Sequence, residues 1–167
     1  MKLALIIVLL AVTLGVTGTT AAKQIWAKSF LGRKAPALVV EKWLTPAPAT
    51  EGKFVLIDFW ATWCGPCRRA IPELNEIHAK LGEQVAVIGI SDEPEAKVRA
   101  MKSPVIAYAV AIDPAKRMSS QLEIKGIPHV ILVDPNGIVR WEGFPLLEGE
   151  ELTLDVVRKI VAQYSRP

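Results

Sequence analysis

The chain contains only two cysteines, Cys64 and Cys67, and they are separated by Gly65 and Pro66. Residues three apart on a helix share a face, so the two sulfur atoms can meet and form a disulfide in a small loop. A C-x-x-C pair at the point where a strand leads into a helix is typical of a redox-active dithiol. The spacing therefore predicts thiol–disulfide chemistry at this pair.

The two cysteines are expected to differ in reactivity. Cys64 lies just before the predicted helix or in its first turn, where unpaired backbone N–H groups and the helix dipole favour an anion. In such motifs the thiol pKa falls from roughly 8.5 to between about 3.5 and 7. Cys67 lies one turn further on and should be more buried. We expect an ionised, exposed Cys64 to attack a disulfide and Cys67 to resolve the mixed disulfide.

Hydrophobic patterns indicate the elements that must position this pair. Residues 54–59 form an apolar run typical of a central buried strand, and residues 66–81 repeat apolar side chains at helical spacing. Residues 85–91 are apolar, as in a parallel strand that is covered on both faces. The remaining patterns predict an edge strand or hairpin over 35–44, helices over 92–102, 114–122 and 153–164, a strand over 107–112, and a hairpin of 129–133 with 138–142.

Residues 58–68 and 70–74, which read DFWATWCGPCR and AIPEL, resemble the active-site strand and helix of thioredoxin. Residues 92–113 are similar to the inserted helix and strand of the TlpA/ResA-like branch of that superfamily. This resemblance extends over residues 33–164. It implies an α/β, thioredoxin-like domain over residues 35–167, with a central mixed sheet flanked by helices, an inserted helix and strand, and an N-terminal edge strand or hairpin.

The resemblance also implies a substrate-binding surface around the cysteines. In thioredoxin-like proteins the proline at the position of Pro128 is cis and faces the dithiol. The backbone of Ile127 would then lie opposite Cys64 and could pair with an extended substrate segment. The alternative is a trans proline that opens an edge strand. The expected substrate-binding residues are Trp63, Gly65, Pro66, Ile127 and Pro128.

Asp58 lies within the apolar run of the predicted central strand. A buried carboxylate should have a raised pKa. Thioredoxins place an aspartate here that accepts the proton of the second cysteine, here Cys67, through water. Thioredoxins also have a lysine nearby, where this chain has Val87, so Asp58 should be especially reluctant to ionise. The alternative is a partly exposed aspartate with a structural role.

Other polar and aromatic side chains near the motif have simpler interpretations. Trp60 fits plain core packing as well as a role beside the site. For His129 a packed strand histidine is favoured over a catalytic one, and His78 fits a structural helix position. For Asp92 and Glu93 favourable charges at a helix N-terminus are expected. The alternative is a functional role, since the ResA-like proteins that this chain resembles carry a functional glutamate near this position.

Several classes of site and partner do not fit the sequence. Two cysteines and two widely separated histidines are a poor ligand set for zinc, and no metal or other cofactor is expected. A peroxide-reducing site has proline seven residues and threonine three residues before its cysteine. Cys64 is preceded at those positions by Ile57 and Ala61. The net charge is +3 without a long basic run, which disfavours nucleic-acid binding.

The N-terminus has the pattern of an export signal. Residues 1–22 combine a positive start, an apolar centre and small residues before Lys23. A cleaved signal peptide is favoured, with an uncleaved membrane anchor as the alternative, and residues 23–34 form a polar and aromatic lead-in. Either alternative predicts a folded part in the periplasm or on the outer face of the cytoplasmic membrane. Such a compartment permits disulfides. A structural disulfide normally closes a longer loop than the one between Cys64 and Cys67, so their close spacing favours a redox-active pair over a structural cross-link.

The dipeptide between the cysteines bears on the direction of electron flow. The Gly65-Pro66 dipeptide matches that of reducing thioredoxins, so the protein is expected to reduce disulfides in partner proteins. A membrane-borne electron donor would then reduce the Cys64–Cys67 disulfide again. TlpA-like proteins often serve cytochrome c or oxidase maturation, which is the expected setting. The alternatives are a dithiol oxidant and a non-catalytic binding module whose disulfide stays closed.

Overall fold

A six-stranded mixed sheet with helices on both faces forms the fold, as the computed structural model shows for residues 25–165. The elements in chain order are β1 (Lys42–Trp43), β2 (Phe54–Trp60), α1 (Gly65–Leu81), β3 (Val85–Ser91), α2 (Glu95–Ala100), β4 (Ala109–Ile112), α3 (Arg117–Gln121), β5 (His129–Val133), β6 (Val139–Gly143) and α4 (Leu154–Tyr164).

The sheet has the strand order β1-β4-β3-β2-β5-β6, which places β2 near its centre. Strands β2, β3 and β4 are parallel, whereas β5 is antiparallel to β2, β6 to β5 and β1 to β4. Strand β2 is paired with β3 and β5 and is covered on both faces. The turn that carries Cys64 follows its carboxyl end and is therefore held on a rigid part of the sheet.

Alternating side chains of the central strands build a core on each face of the sheet. Leu56 and Val87 belong to a cluster with buried residues of α1 and α4. Ile57 and Ile88 point the other way and pack with Met118 of α3. Successive side chains of a strand point to opposite faces of the sheet, and here both faces are buried. This is the reason that β2 and β3 are continuous hydrophobic runs in the sequence.

Some predicted elements are shorter in the structure. Only Lys42–Trp43 of the predicted 35–44 segment forms a strand. Strand β4 begins at Ala109 rather than 107, because the loop before it is bound to α1: Asn75 donates to the Val105 carbonyl (2.9 Å) and accepts from the Ala107 N–H (2.8 Å).

Both short helices also begin later than predicted. Helix α2 starts only after Pro94. Before α3, Lys116 adopts a left-handed backbone conformation (φ 55°), and the carboxylate of Asp113 accepts the Arg117 N–H (2.7 Å). The chain therefore turns before α3 can begin.

The predicted signal or anchor over residues 1–22 lies outside the described residues. Within residues 25–165 no helix is long and apolar enough to cross a membrane.

Candidate active site

The cysteine pair lies where β2 leads into α1, as predicted. Cys64 is the N-cap of α1, and its Sγ accepts a hydrogen bond from the backbone N–H of Cys67 (3.1 Å). Pro66 lies in the first turn of α1, where a backbone N–H has no partner within the helix. Proline therefore costs no helical hydrogen bond at this position. The two sulfur atoms are joined in a disulfide.

Both cysteines are buried in this disulfide form. Cys67 is 0% exposed and Cys64 only 3% exposed. The order of burial agrees with the prediction, but the expected exposure of Cys64 is wrong for the oxidised protein. The reason is packing, because both side chains belong to a cluster with Trp60, Val110 and others. Trp60 is therefore buried in the core, and it also lines a groove beside the pair.

A groove of about 390 Å³ opens beside the pair. The exposed Trp63 borders it, and Ile127 both lines it and packs against the cysteine cluster. Asp92 and Lys116 form an ion pair in the lining (2.9 Å). The further lining residues are Phe59, Trp60, Ile90, Asp113, Ser119, Ile124, Lys125 and Gly126.

The predicted substrate-binding residues thus fall into two groups. The structure brings Trp63 and Ile127 to one groove. The Ile127–Pro128 peptide bond is cis, as expected, but the Pro128 side chain is buried outside the groove lining. Gly65 and Pro66 are exposed at the start of α1 and do not line the groove.

Asp58 is completely buried, and burial raises the pKa of its carboxyl from 3.8 to about 7. The alternative of a partly exposed aspartate is therefore wrong. The hydroxyl of Tyr108 donates to Oδ2 of Asp58 (3.3 Å), which lowers this pKa against the larger effect of burial. Sequence reasoning missed Tyr108, because it lies 50 positions away and no motif links the two residues.

Glu93 differs from its predicted role. It precedes α2, which begins at Glu95, so it is not a charge of the first helical turn. Its carboxylate instead accepts hydrogen bonds from the backbone N–H and the hydroxyl of Thr62, two residues before Cys64. Buried and facing the turn after β2, Glu93 connects the loop after β3 to the cysteine motif.

His129 is buried in β5 and packs at 6.4 Å between ring centroids against Phe59. His78 is half-buried in α1. In the part of the chain that the structure describes, no group of three or more His, Cys, Asp and Glu side chains could hold a metal ion.

Comparison with known proteins places this site in a family. The model of the AhpC/TSA family matches residues 31–142. The chain belongs to the AhpC/TSA family. Within it, Ile57 and Ala61 before Cys64 differ from the proline and threonine of a peroxide-reducing site.

Two similar proteins of known name indicate the kind of activity. The thiol-disulfide oxidoreductase ResA of a Bacillus cereus strain is 30% identical over 142 residues, which cover 80% of this chain and 82% of that protein. The thiol:disulfide interchange protein DsbE of Escherichia coli is 33% identical over 93 residues, or 55% of this chain and 50% of DsbE.

A solved structure agrees with these relatives. The thioredoxin domain of a thiol-disulfide oxidoreductase from Bacteroides vulgatus superposes with a TM-score of 0.65 at 28% identity, covering 78% of this chain and 97% of that domain. This AhpC/TSA member is therefore a thiol-disulfide oxidoreductase of the ResA and DsbE type, with the predicted thioredoxin-like fold.

Proposed function

We propose that the protein reduces disulfides in partner proteins. In the dithiol form, the Cys64 thiolate attacks one sulfur of the partner disulfide, and the other partner sulfur leaves as a thiolate. Cys67 then loses its proton and attacks the Cys64 sulfur, which expels the second partner thiolate and forms the Cys64–Cys67 disulfide. Two electrons pass from the dithiol to the partner.

The observation that carries this proposal is the asymmetry between the two sulfurs. The Sγ atom of Cys64 caps α1 and accepts the Cys67 N–H, an arrangement that stabilises negative charge on sulfur. Cys67 is fully buried behind it, where only a sulfur already attached to Cys64 can be attacked. Cys64 is thus suited to attack and Cys67 to resolve.

Asp58 is suited to accept the proton that Cys67 releases. Its carboxyl has a pKa of about 7, so near neutral pH it is present in both forms and can accept and return a proton. This role matches the expectation from the thioredoxin resemblance.

The partner is proposed to dock in the groove beside the dithiol. Trp63 is 68% exposed and supplies a large apolar surface, and Ile127 also lines the groove. The Asp92–Lys116 ion pair gives this surface both signs of charge, which suits a polypeptide segment. Gly65 and Pro66 are exposed at the start of α1 and are proposed as further contacts of the docked segment. The buried Pro128 is proposed to act through its cis peptide bond, which orients the backbone of Ile127.

The direction of electron flow is proposed from the Gly65-Pro66 dipeptide. Reducing thioredoxins with this dipeptide have potentials near roughly −270 mV, whereas a value above about −180 mV would favour a dithiol oxidant. A membrane-borne donor would restore the dithiol. We propose that the folded part lies in the periplasm or on the outer face of the cytoplasmic membrane and serves cytochrome c or oxidase maturation.

Trapping tests the proposal directly. In the Cys67→Ser variant, the mixed disulfide through Cys64 cannot be resolved, so partner proteins from a periplasmic extract should accumulate as complexes that dithiothreitol releases. Cys64→Ser is the matched control and should trap none. The proposal is wrong if Cys67→Ser traps no protein and the wild-type protein does not accelerate insulin reduction by dithiothreitol.

A further inference from the structure

We propose that Tyr108 is a positioning residue for the reaction: its hydroxyl binds Oδ2 of Asp58 and leaves Oδ1 to accept the proton of Cys67. The inference rests on the proposed function for the role of Asp58 as proton acceptor. Its structural part, the control of Asp58 ionisation by Tyr108, is independent of any partner protein.

The geometry around the carboxylate supports this division between its two oxygens. Tyr108 lies immediately before β4, is 2% exposed, and donates to Oδ2 at 3.3 Å. Oδ1 is also buried but accepts no hydrogen bond from the described residues. A buried carboxylate oxygen without a donor is costly when charged, and it is the more favourable atom to protonate.

Gly89 provides the space that this arrangement needs. It pairs with Asp58 across the parallel β2–β3 ladder. A Cβ atom at position 89 would lie 2.9 Å from Nε1 of Trp60 and 3.1 Å from Cε2 of Tyr108. Glycine in a strand interior often marks such a close approach. Here it allows the Tyr108 ring to reach Asp58 over the sheet.

The elements packed around Asp58 contribute few competing ionisable groups. Its strand neighbours are Gly89 in β3 and Val130 in β5, neither of which titrates. The buried residues of α4 are apolar. Among the buried residues of α1 only Cys67 can titrate, once it is reduced. The ionisable side chains of α1 that are not buried are Arg68, Arg69, Glu73, Glu76, His78 and Lys80.

The hydroxyl remains a donor at every pH at which the enzyme would work. Burial, and then the neighbouring Asp58 carboxylate, raise the pKa of Tyr108 well above its usual value. Burial raises the pKa of Asp58 to about 7, and the Tyr108 hydrogen bond opposes that rise. Without the hydroxyl, Asp58 should therefore stay protonated to higher pH.

Tyr108→Phe tests this, because it removes the hydroxyl and keeps the aromatic ring. Tyr164→Phe is the matched control, since it removes the chain's other tyrosine hydroxyl. The first measurement is the pH titration of the Asp58 carboxyl by carbon NMR in the disulfide form. Tyr108→Phe should raise the midpoint by about one pH unit, and Tyr164→Phe should leave it unchanged.

The second measurement follows the resolving step. A mixed disulfide of Cys64 with thionitrobenzoate is formed at acidic pH, the pH is raised rapidly, and release of the coloured thiolate by Cys67 is recorded. In Tyr108→Phe the pH profile of this release should move upward by the same amount as the carboxyl midpoint.

The outcomes separate the two proposals. An unchanged Asp58 midpoint in Tyr108→Phe overturns the role of Tyr108, whatever the activity. A raised midpoint with an unshifted release profile also overturns it, because Tyr108 would then not act on the reaction. If Cys67→Ser traps no protein and the wild-type protein does not accelerate insulin reduction by dithiothreitol, the proposed function alone is overturned.

Discussion

Glu93 holds the turn that precedes the cysteine pair by accepting two hydrogen bonds from Thr62. One comes from the Thr62 backbone N–H and the other from its hydroxyl (2.9 Å), while Lys97 lies 3.0 Å from the same carboxylate. Glu93 is 5% exposed. Burial raises the pKa of its carboxyl, but hydrogen bonds from Thr62 and Lys97 outweigh this and lower it below the usual value.

Replacing Glu93 should therefore destabilise the fold in a pH-dependent way. In Glu93→Gln, an amide NH2 would face one of the donors of Thr62, so the free energy of unfolding at neutral pH should fall by about 1–3 kcal/mol. Because the folded-state pKa is lowered, the carboxylate's contribution is present above the unfolded pKa and is lost as pH falls. The difference from wild type, measured by urea unfolding, should shrink in acid.

Glu95→Gln is the control for this experiment. Glu95 also forms ion pairs, with Lys42 and Arg99, but its partners are exposed. Such surface pairs contribute little to stability because solvent screens them, so this variant should be close to wild type. Equal stability of Glu93→Gln and wild type at neutral pH would show that the Thr62 contact does not stabilise the turn.

In the reduced protein, Cys64 should be alkylated much faster than Cys67. Its Sγ lies at the N-cap of α1 and accepts a hydrogen bond from the Cys67 N–H. In the disulfide form Cys64 is 3% exposed and Cys67 0% exposed, so the expected difference in rate comes mainly from stabilisation of the Cys64 thiolate. The rate of reaction with iodoacetamide should rise with pH and level off at an inflection below the roughly 8.5 of an ordinary thiol. Mass spectrometry assigns the modified residue, and Cys67→Ser isolates the reaction of Cys64. A rate equal to that of free cysteine at every pH would contradict thiolate stabilisation.

Asp58 should make the protein less stable as pH rises. Its carboxyl has a pKa of about 7 in the fold against an ordinary 3.8, so the folded state binds more protons between these values. The contribution of Asp58 to the free energy of unfolding therefore falls by on the order of 3–4 kcal/mol between about pH 4 and pH 7 and does not recover at higher pH. Asp58→Asn should consequently be more stable than wild type in alkaline solution and show little gain in acid.

The matched control for Asp58→Asn is Asp155→Asn, at an aspartate whose side chain is 77% exposed. This surface change should alter the unfolding free energy by less than about 1 kcal/mol at any pH. Thermal or urea unfolding across the pH range measures both variants. A flat difference between wild type and Asp58→Asn from acid to alkali would mean that Asp58 titrates normally in the folded state.

What the sequence determined by itself is mostly local. The spacing of Cys64 and Cys67 and the adjoining strand and helix predicted the capped thiol, because neighbouring residues make those contacts. The hairpin of 129–133 with 138–142 was predicted for the same reason, and Gly137 in its turn has a positive φ of 79°. The apolar runs of β2 and β3 predicted a sheet covered on both faces, since burial on both sides removes any alternation of polar residues.

Only the tertiary structure decided which distant groups meet the motif. Tyr108 reaches Asp58 across 50 positions and Glu93 reaches Thr62 across 31, and neither pair follows from any spacing rule. The burial of Cys64 was also mispredicted, because it depends on Trp60 and Val110 packing around the disulfide. Such contacts are made by strand order and register, and a buried polar atom takes whichever donor the packing brings within hydrogen-bond distance.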